Sequence, residues 1–484
     1  MRLLASAIVA ALLLLHPAYA QTVPATITIL HFNDVYEIAA VEGGKAGGLA
    51  RVARLRATLA AQHPGLITTL GGDYVSPSAL GIARVNGEPL AGKQMVAVLN
   101  LVGVDWATFG NHEFDIGDAG LRARLTESKF RTVSSNVTDA NGALFPNTVR
   151  DEVVTLRTAA GIVRIGLIGL TIDVNRRPWV RYAPAVESAR SAIADLKGRS
   201  DVIVALTHLT LAGDQELAEQ VPEIDLILGG HEHENWLLER GAHFTPIVKA
   251  DSNVRTVAIV TLQIPRKGAR PIVSTRLQGI DETMKEGPRT SAEVRRWTDL
   301  AFAAFRKDGF DPTAVVATSD VPLDGRESSV RNRPTNLTAL IVDAMRHEAG
   351  TQIGIFNGGS VRIDDVLPPG PITQYDVIRV LPFGGTVVKA TFTGALLARV
   401  LQIGEQNRGT GGYLHSAGVP AAIDPAARYT LALSDFLLTG GEANLGFLTR
   451  HNPEVSDVTD LRDVRMALMD ELKRRFPASP KAIK

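Results

Sequence analysis

Five strand-length apolar runs in the first half of the chain each end in residues that can bind a metal ion, and no other feature restricts the fold as strongly. The runs cover 25–30, 66–70, 106–109, 202–206 and 224–228. They lead to Asp34, Asp73, Asn111, His208 and the pair His231 and His233. A sixth run, 163–170, has no such ending. Amphipathic helical spacing appears between the runs, at Leu49, Val52, Leu55 and Leu59, then over Ala91 to Val102 and Ser188 to Leu196. This alternation predicts a layered α/β fold around a central sheet. In such folds ligands gather at the carboxyl ends of the strands, so the six residues are expected along one sheet edge. Six oxygen and nitrogen donors exceed the three or four protein ligands of a mononuclear zinc site. They favour two metals sharing a bridging carboxylate, with Asp73 as the candidate bridge.

Each donor alone has a plainer reading. An Asp or Asn at a strand end is ordinarily a turn residue or a helix cap, and a single histidine ordinarily sits on the surface or in the core. The chain holds 11 histidines, however, and four of them (His112, His208, His231 and His233) directly follow expected strands. The chain has no cysteine, so thiolate ligands, disulfides and cysteine nucleophiles are excluded, and any metal must take N or O donors. Lys plus Arg and Asp plus Glu balance at 51 each, which argues against a nucleic acid polymer as partner and against polybasic membrane adhesion.

The 484 residues suggest two to four domains. Residues 1–20 read as a signal peptide: Arg2 precedes an apolar stretch from Leu3 to Leu15, and Ala18-Tyr19-Ala20 forms a small-x-small cleavage site. Export across the inner membrane to the periplasm is expected, with no stable membrane anchor, because the apolar stretch is shorter than the ~20 residues of a spanning helix. Around 282–310 the composition shifts to a charged helical stretch carrying Val294, Trp297, Leu300, Ala301 and Phe305, read as a linker helix between domains. A second α/β region follows, with glycine-rich turns at Asn357-Gly358-Gly359, Phe383-Gly384-Gly385 and Thr439-Gly440-Gly441.

The successive motifs His31-Phe32-Asn33-Asp34, Gly71-Gly72-Asp73, Gly110-Asn111-His112-Glu113-Phe114-Asp115, Thr207-His208 and Gly229-Gly230-His231-Glu232-His233 resemble those of the calcineurin-like metallophosphoesterases. More narrowly, they resemble the secreted 5'-nucleotidase and UDP-sugar hydrolase family. The resemblance implies a four-layer α/β-β/α catalytic sandwich over 21–281, the linker helix over 282–310, and a C-terminal nucleotide-binding α/β domain over 311–484. It implies two divalent metal ions (Mn, Zn, Co or Fe), one on Asp34, Asp73 and His233, the other on Asp73, Asn111, His208 and His231. It also implies that His112, paired with Asp115, faces the phosphoryl group. Where the family carries Asp-x-His, this chain reads Asp34-Val35-Tyr36. Tyr36 binds the metal, or water or Glu37 substitutes for it, or Tyr36 only packs.

In the second region the resemblance implies a nucleotide substrate. Asn357, Gly359 and Arg362 match an Asn-Gly-Gly-x-x-Arg turn, and Phe383 and Phe436 match a pair of aromatic rings that stack on the base. Taken alone, either ring would be read as a plug in the core. Glu442 stands where an aspartate normally meets the ribose, and Arg331 with Arg362 supplies positive charge. The expected activity is a hydrolase of the 5'-nucleotidase type, releasing nucleoside and phosphate. Alternatives on the same fold are a 2',3'-cyclic nucleotide phosphodiesterase, a UDP-sugar hydrolase, or a nucleotide-binding protein with a degenerate metal site.

Overall fold

The computed structural model describes residues 24–477, so the signal-peptide segment lies outside the described residues. The apolar runs form two sheets. The first has seven strands in the order 148–149, 131–133, 106–107, 67–70, 25–32, 256–264, 272–279. The second has six, in the order 151–158, 161–171, 202–208, 226–229, 245–249, 236–240. Strands 25–32, 67–70, 106–107 and 131–133 run parallel, as do 161–171, 202–208, 226–229 and 245–249. Their carboxyl ends therefore point the same way within each sheet.

Alternate residues of both sheets close a shared core, in which Ile27, Ile29 and Val260 meet Ile165, Leu167, Val204, Leu206 and Leu228. The opposite faces are covered by helices. Leu30 and Phe32 pack under Leu49–Gln62 and Lys93–Val102, while Ile168, Leu170 and Ile227 pack under Ala185–Leu196 and Leu211–Gln220. The order of layers is helix, sheet, sheet, helix. The run expected over 106–109 is a strand only at Trp106–Ala107, because the chain leaves the sheet after Thr108 donates its amide to Leu70.

The linker stretch contains one helix, Pro288–Lys307, started by a proline in its first turn, where a missing N–H costs nothing. Its apolar stripe of Trp297, Ala301, Ala304 and Phe305 joins the core beneath the first sheet. Tyr375 and Ile378 of the second half pack on the same cluster, with the Phe302 and Tyr375 ring centres 4.9 Å apart. The second half is built on a five-stranded sheet ordered 414–417, 353–357, 428–434, 386–393, 455–463. Helices Asn336–Ala349 and Val464–Arg475 cover one face and Gly394–Gln406 the other. Among the described residues no helix is long and apolar enough to cross a membrane.

Candidate metal centre

The donor residues sit at the ends of the parallel strands, His208 as the last residue of strand 202–208 and the others in the segments that follow their strands. Asp34, Asp73, His231 and His233 all have positive φ, at 52°, 54°, 89° and 57°. Non-glycine residues avoid this left-handed region, at a cost of ~1 kcal/mol or more each, so four together mark a place where packing and hydrogen bonds over-determine the backbone. Gly110 makes room for one of them: a Cβ there would come within 2.1 Å of the Asp73 carboxylate.

Both carboxylates are buried, and each has one oxygen fixed by N–H donors while the other faces the cluster. Asp34 Oδ2 accepts from the Asn33 side chain at 2.7 Å and the His231 amide at 2.8 Å; Asp73 Oδ1 accepts from the His112 amide at 2.8 Å. Asp34 Oδ1 then lies 3.3 Å from His233 Nε2, and Asp73 Oδ2 lies 3.3 Å from His208 Nε2. His208 donates Nδ1–H to the Gly71 carbonyl at 2.7 Å, which leaves Nε2 with its lone pair, buried and without a hydrogen-bond partner. Asn111 Oδ1 is orphaned in the same way, and the His231 ring packs edge-on against His208 with centres 5.2 Å apart.

Such a cluster needs positive charge. Burial opposes ionisation of Asp34 and Asp73, yet the neighbouring histidines hold both carboxyls below the usual carboxylate range. Burial alone would keep His208 neutral, but with no metal ion Asp73 and Asp34 pull it up to about 10 and hold a proton on Nε2, the place a metal ion would take. Burial, reinforced by His208, pushes His231 down to about 3. Divalent ions relieve both the orphaned lone pairs and the facing carboxylates, and the all-N/O donor set suits borderline and hard cations. The residues therefore fit metal ions, and Asp34, Asp73 and His208 alone bring three ligand atoms within 4.8 Å of one another.

Tyr36 points into this cluster. Its Oη is 2.8 Å from His233 Nε2, 3.2 Å from Asp73 Oδ2 and 3.3 Å from Asp34 Oδ1. Burial, with Asp73 and Asp34 beside it, raises the phenol well above its ordinary pKa. Glu37 does not substitute as a ligand. It turns away to accept from Tyr375 Oη at 3.1 Å and to pair with Arg379 at 3.6 Å, because the chain alternates direction after Tyr36. Simple packing does not describe Tyr36 either, since its hydroxyl meets three donor atoms.

His112 Nδ1 lies 2.6 Å from Asp115 Oδ2, and Arg362 from the second half reaches His112 Nε2 at 2.8 Å. A guanidinium can only donate, so Nε2 is the acceptor and Nδ1 carries the proton given to Asp115. For His112 to donate toward the phosphoryl group that it is expected to face, Nε2 must first gain a proton. Asp115 is not a helix cap; it lies within the short helix His112–Ile116 and also takes Arg177 at 2.8 Å.

The remaining substrate candidates line the second half. Phe383 and Phe436 are 59% and 41% exposed, which excludes the reading of either as a core plug. Asn357 donates to Glu442 at 2.8 Å, and burial raises the Glu442 carboxyl. Gly359 packs its backbone on Gly411, where a Cβ would fall 2.9 Å from the neighbouring Cα. Arg331 is spent on Glu327 at 2.6 Å, so of these two arginines it is Arg362 that reaches the first half.

Several supporting residues escaped the sequence reading. Glu113 accepts the amides of Asp73 at 2.9 Å and Tyr74 at 2.7 Å, and burial, with Asp73 nearby, raises it to about 7. Its signal was its place inside the Gly110–Asp115 motif. Buried Lys249 holds Asp214 at 2.9 Å, Glu232 and the Gly230 carbonyl beneath the His231–His233 turn. Asp364, 2.9 Å from His233 Nδ1, carried no signal at all.

Residues 27–235 match the calcineurin-like phosphoesterase family and residues 315–427 match the 5'-nucleotidase C-terminal domain. The chain is 29% identical over 369 residues to the trifunctional nucleotide phosphoesterase protein YfkN of Bacillus subtilis, covering 66% of this chain and 25% of that longer protein. It is 26% identical over 490 residues to protein UshA of Yersinia enterocolitica, covering 86% of each. The fold is shared with a 5'-nucleotidase precursor from Thermus thermophilus at a TM-score of 0.75 and 23% identity, over 93% of this chain and 97% of the other.

Proposed function

We propose that this chain, which belongs to the 5'-nucleotidase family and joins a calcineurin-like metallophosphoesterase domain to a 5'-nucleotidase C-terminal domain, hydrolyses phosphate esters of nucleotides to nucleoside and phosphate. The observation that carries this reading is the contact of Arg362 with His112, which brings the half bearing Phe383 and Phe436 up to the donor cluster. One divalent ion is assigned to Asp34, Asp73 and His233 with the Tyr36 oxygen beside them, the other to Asp73, Asn111, His208 and His231. When bound, two such ions lower the pKa of a water and neutralise phosphoryl oxygens.

The chain's own groups do the rest. Phe383 and Phe436 offer two exposed rings to a base, since stacking is available to purines and pyrimidines alike. Glu442, held by Asn357 of the turn that includes Gly359, is assigned to the sugar, and Arg331 supplies positive charge near it. Arg362 exchanges His112 for a phosphoryl oxygen when substrate enters, a bidentate partner suited to the planar guanidinium. A water oxygen forms the new bond to phosphorus as the bond to the nucleoside oxygen breaks, and the leaving oxygen departs with a proton. His112 is placed to carry that proton on Nε2, with Asp115 fixing its tautomer. The leader-like residues 1–20 support export to the periplasm.

The test is a substrate panel with protein that has been stripped by chelation and refilled with manganese, zinc, cobalt, iron or magnesium. Metal is expected to restore hydrolysis of AMP, ADP, ATP, UDP-glucose or a cyclic nucleotide. Phe383→Ala and Phe436→Ala are each expected to weaken nucleotides by ~1–3 kcal/mol while sparing p-nitrophenyl phosphate. Nucleotide binding without hydrolysis under every metal would replace this reading with a binding protein that has a degenerate metal site.

A further inference from the structure

His208 and His233 are oriented in different ways. The far nitrogen of His208 is tied to the Gly71 carbonyl, within the same half of the chain. The far nitrogen of His233 is tied to Asp364 Oδ2 at 2.9 Å, a carboxylate that belongs to the second half and stands 131 residues away. The carboxylate is itself held on all sides. Ser252 Oγ donates to the same oxygen at 2.7 Å, the Glu327 amide donates to Oδ1 at 2.8 Å, and the Arg255 guanidinium donates to the Asp364 carbonyl at 2.5 Å. Asp364 is 8% exposed and takes φ of 41°, a left-handed conformation that only such a set of contacts would keep in place. Glu327, whose Oε2 is 3.9 Å from the same His233 nitrogen, is engaged by Arg331 and is not a ready replacement.

We propose that Asp364 is the positioning residue for His233, so that one of the two metal positions is completed only when the second half of the chain is docked on the first. The inference rests on the proposed function, since it takes His233 as a metal ligand. Its physical basis is general. A ligating histidine that gives its other N–H to a carboxylate is fixed in tautomer and ring orientation and becomes a better donor, and loss of that partner typically costs 10–100-fold in metal affinity. Here Nδ1–H points to Asp364, which leaves the Nε2 lone pair facing Asp34 and Tyr36. Separation of the halves would leave Nδ1 facing water while the His208 anchor stays intact.

The experiment is a chelator-competition titration of the full chain with manganese. The wild type should bind two ions. Asp364→Ala should weaken one of them 10–100-fold and leave the other unchanged. Asp364→Asn keeps the shape and the acceptor oxygen but loses the charge, and should give a smaller loss at the same step. Tyr375→Phe removes a different contact between the halves, the bond to Glu37, and should leave both steps as in the wild type. Wild-type affinity at both steps in the two Asp364 variants would overturn the inference, as would equal weakening of both ions with a lowered unfolding temperature. If wild type binds no divalent ion, or binds two and hydrolyses no nucleotide, the proposed function fails. If wild type does both and Asp364→Ala matches it, only this inference fails.

Discussion

Asp73 faces both groups of donors, with Oδ2 3.3 Å from His208 Nε2 and 3.2 Å from Tyr36 Oη, while its other oxygen takes the His112 amide. One substitution there should disturb both metal positions. Asp73→Ala is accordingly expected to lose metal and turnover together, whereas His112→Ala should keep both ions and lose turnover by ~10²–10⁴-fold, the range of a general acid or base. Metal content measured beside rate separates the two outcomes, and loss of metal in the His112 variant would remove its assigned role. Tyr36 shows what a single residue letter conceals. As a sequence departure it allowed ligation, substitution by water or Glu37, or plain packing, and only the side-chain direction removes Glu37. Glu37 and Tyr36 are adjacent, yet one enters the donor cluster and the other meets Tyr375 and Arg379.

Strands, rather than residues, bring the donors together, and His31 shows how the two sheets are locked at that edge. It sits on strand Ala25–Phe32, accepts from Thr69 on the neighbouring strand at 3.0 Å, and donates Nε2–H to the Gly229 carbonyl of the other sheet at 3.0 Å. Burial holds its pKa down to about 4, against 6.5 for a free histidine, with the Gly229 carbonyl and Asp34 opposing. The unfolded chain therefore binds this proton more readily than the folded one. Its contribution is complete above pH 6.5 and is lost as the pH falls from 6.5 to about 4, a swing of about 3 kcal/mol. Urea midpoints measured across this interval should fall more steeply for the wild type than for His31→Gln. Parallel slopes would show that His31 titrates freely in the folded state.

At the scale of the molecule, the two halves meet through Arg362 on His112, Asp364 on His233, and Tyr375 and Arg379 on Glu37. A nucleotide large enough to touch both Phe383 and the donor cluster must enter between them. The expected outcome is that the second half turns about the 282–310 segment, opening to exchange ligands and closing to present phosphate. Glu234 of the first half and Arg326 of the second are exposed and line one cavity. Because the chain has no cysteine, Glu234→Cys with Arg326→Cys gives a unique pair for a short bis-maleimide. Crosslinking should stop multiple turnovers while leaving both metals bound; unchanged steady-state rates would show that the cleft works without opening.

What the sequence determined by itself was local in origin. The period of the apolar runs gave strands, and residues at the carboxyl ends of strands in a layered α/β fold gather, so Asp34, Asp73, Asn111, His208, His231 and His233 could be read as a set; the single sheet edge expected for them is instead two, with Asp34, Asp73 and Asn111 leaving one sheet and His208, His231 and His233 the other. The tertiary structure alone decided what crosses between the halves. Arg362 and His112 are separated by 250 positions, and Asp364 and His233 by 131, with no shared motif or period linking either pair. Such contacts depend on how the surfaces of the two halves dock. A carboxylate that completes a histidine from the far half looks, in sequence, like any acidic residue in a turn.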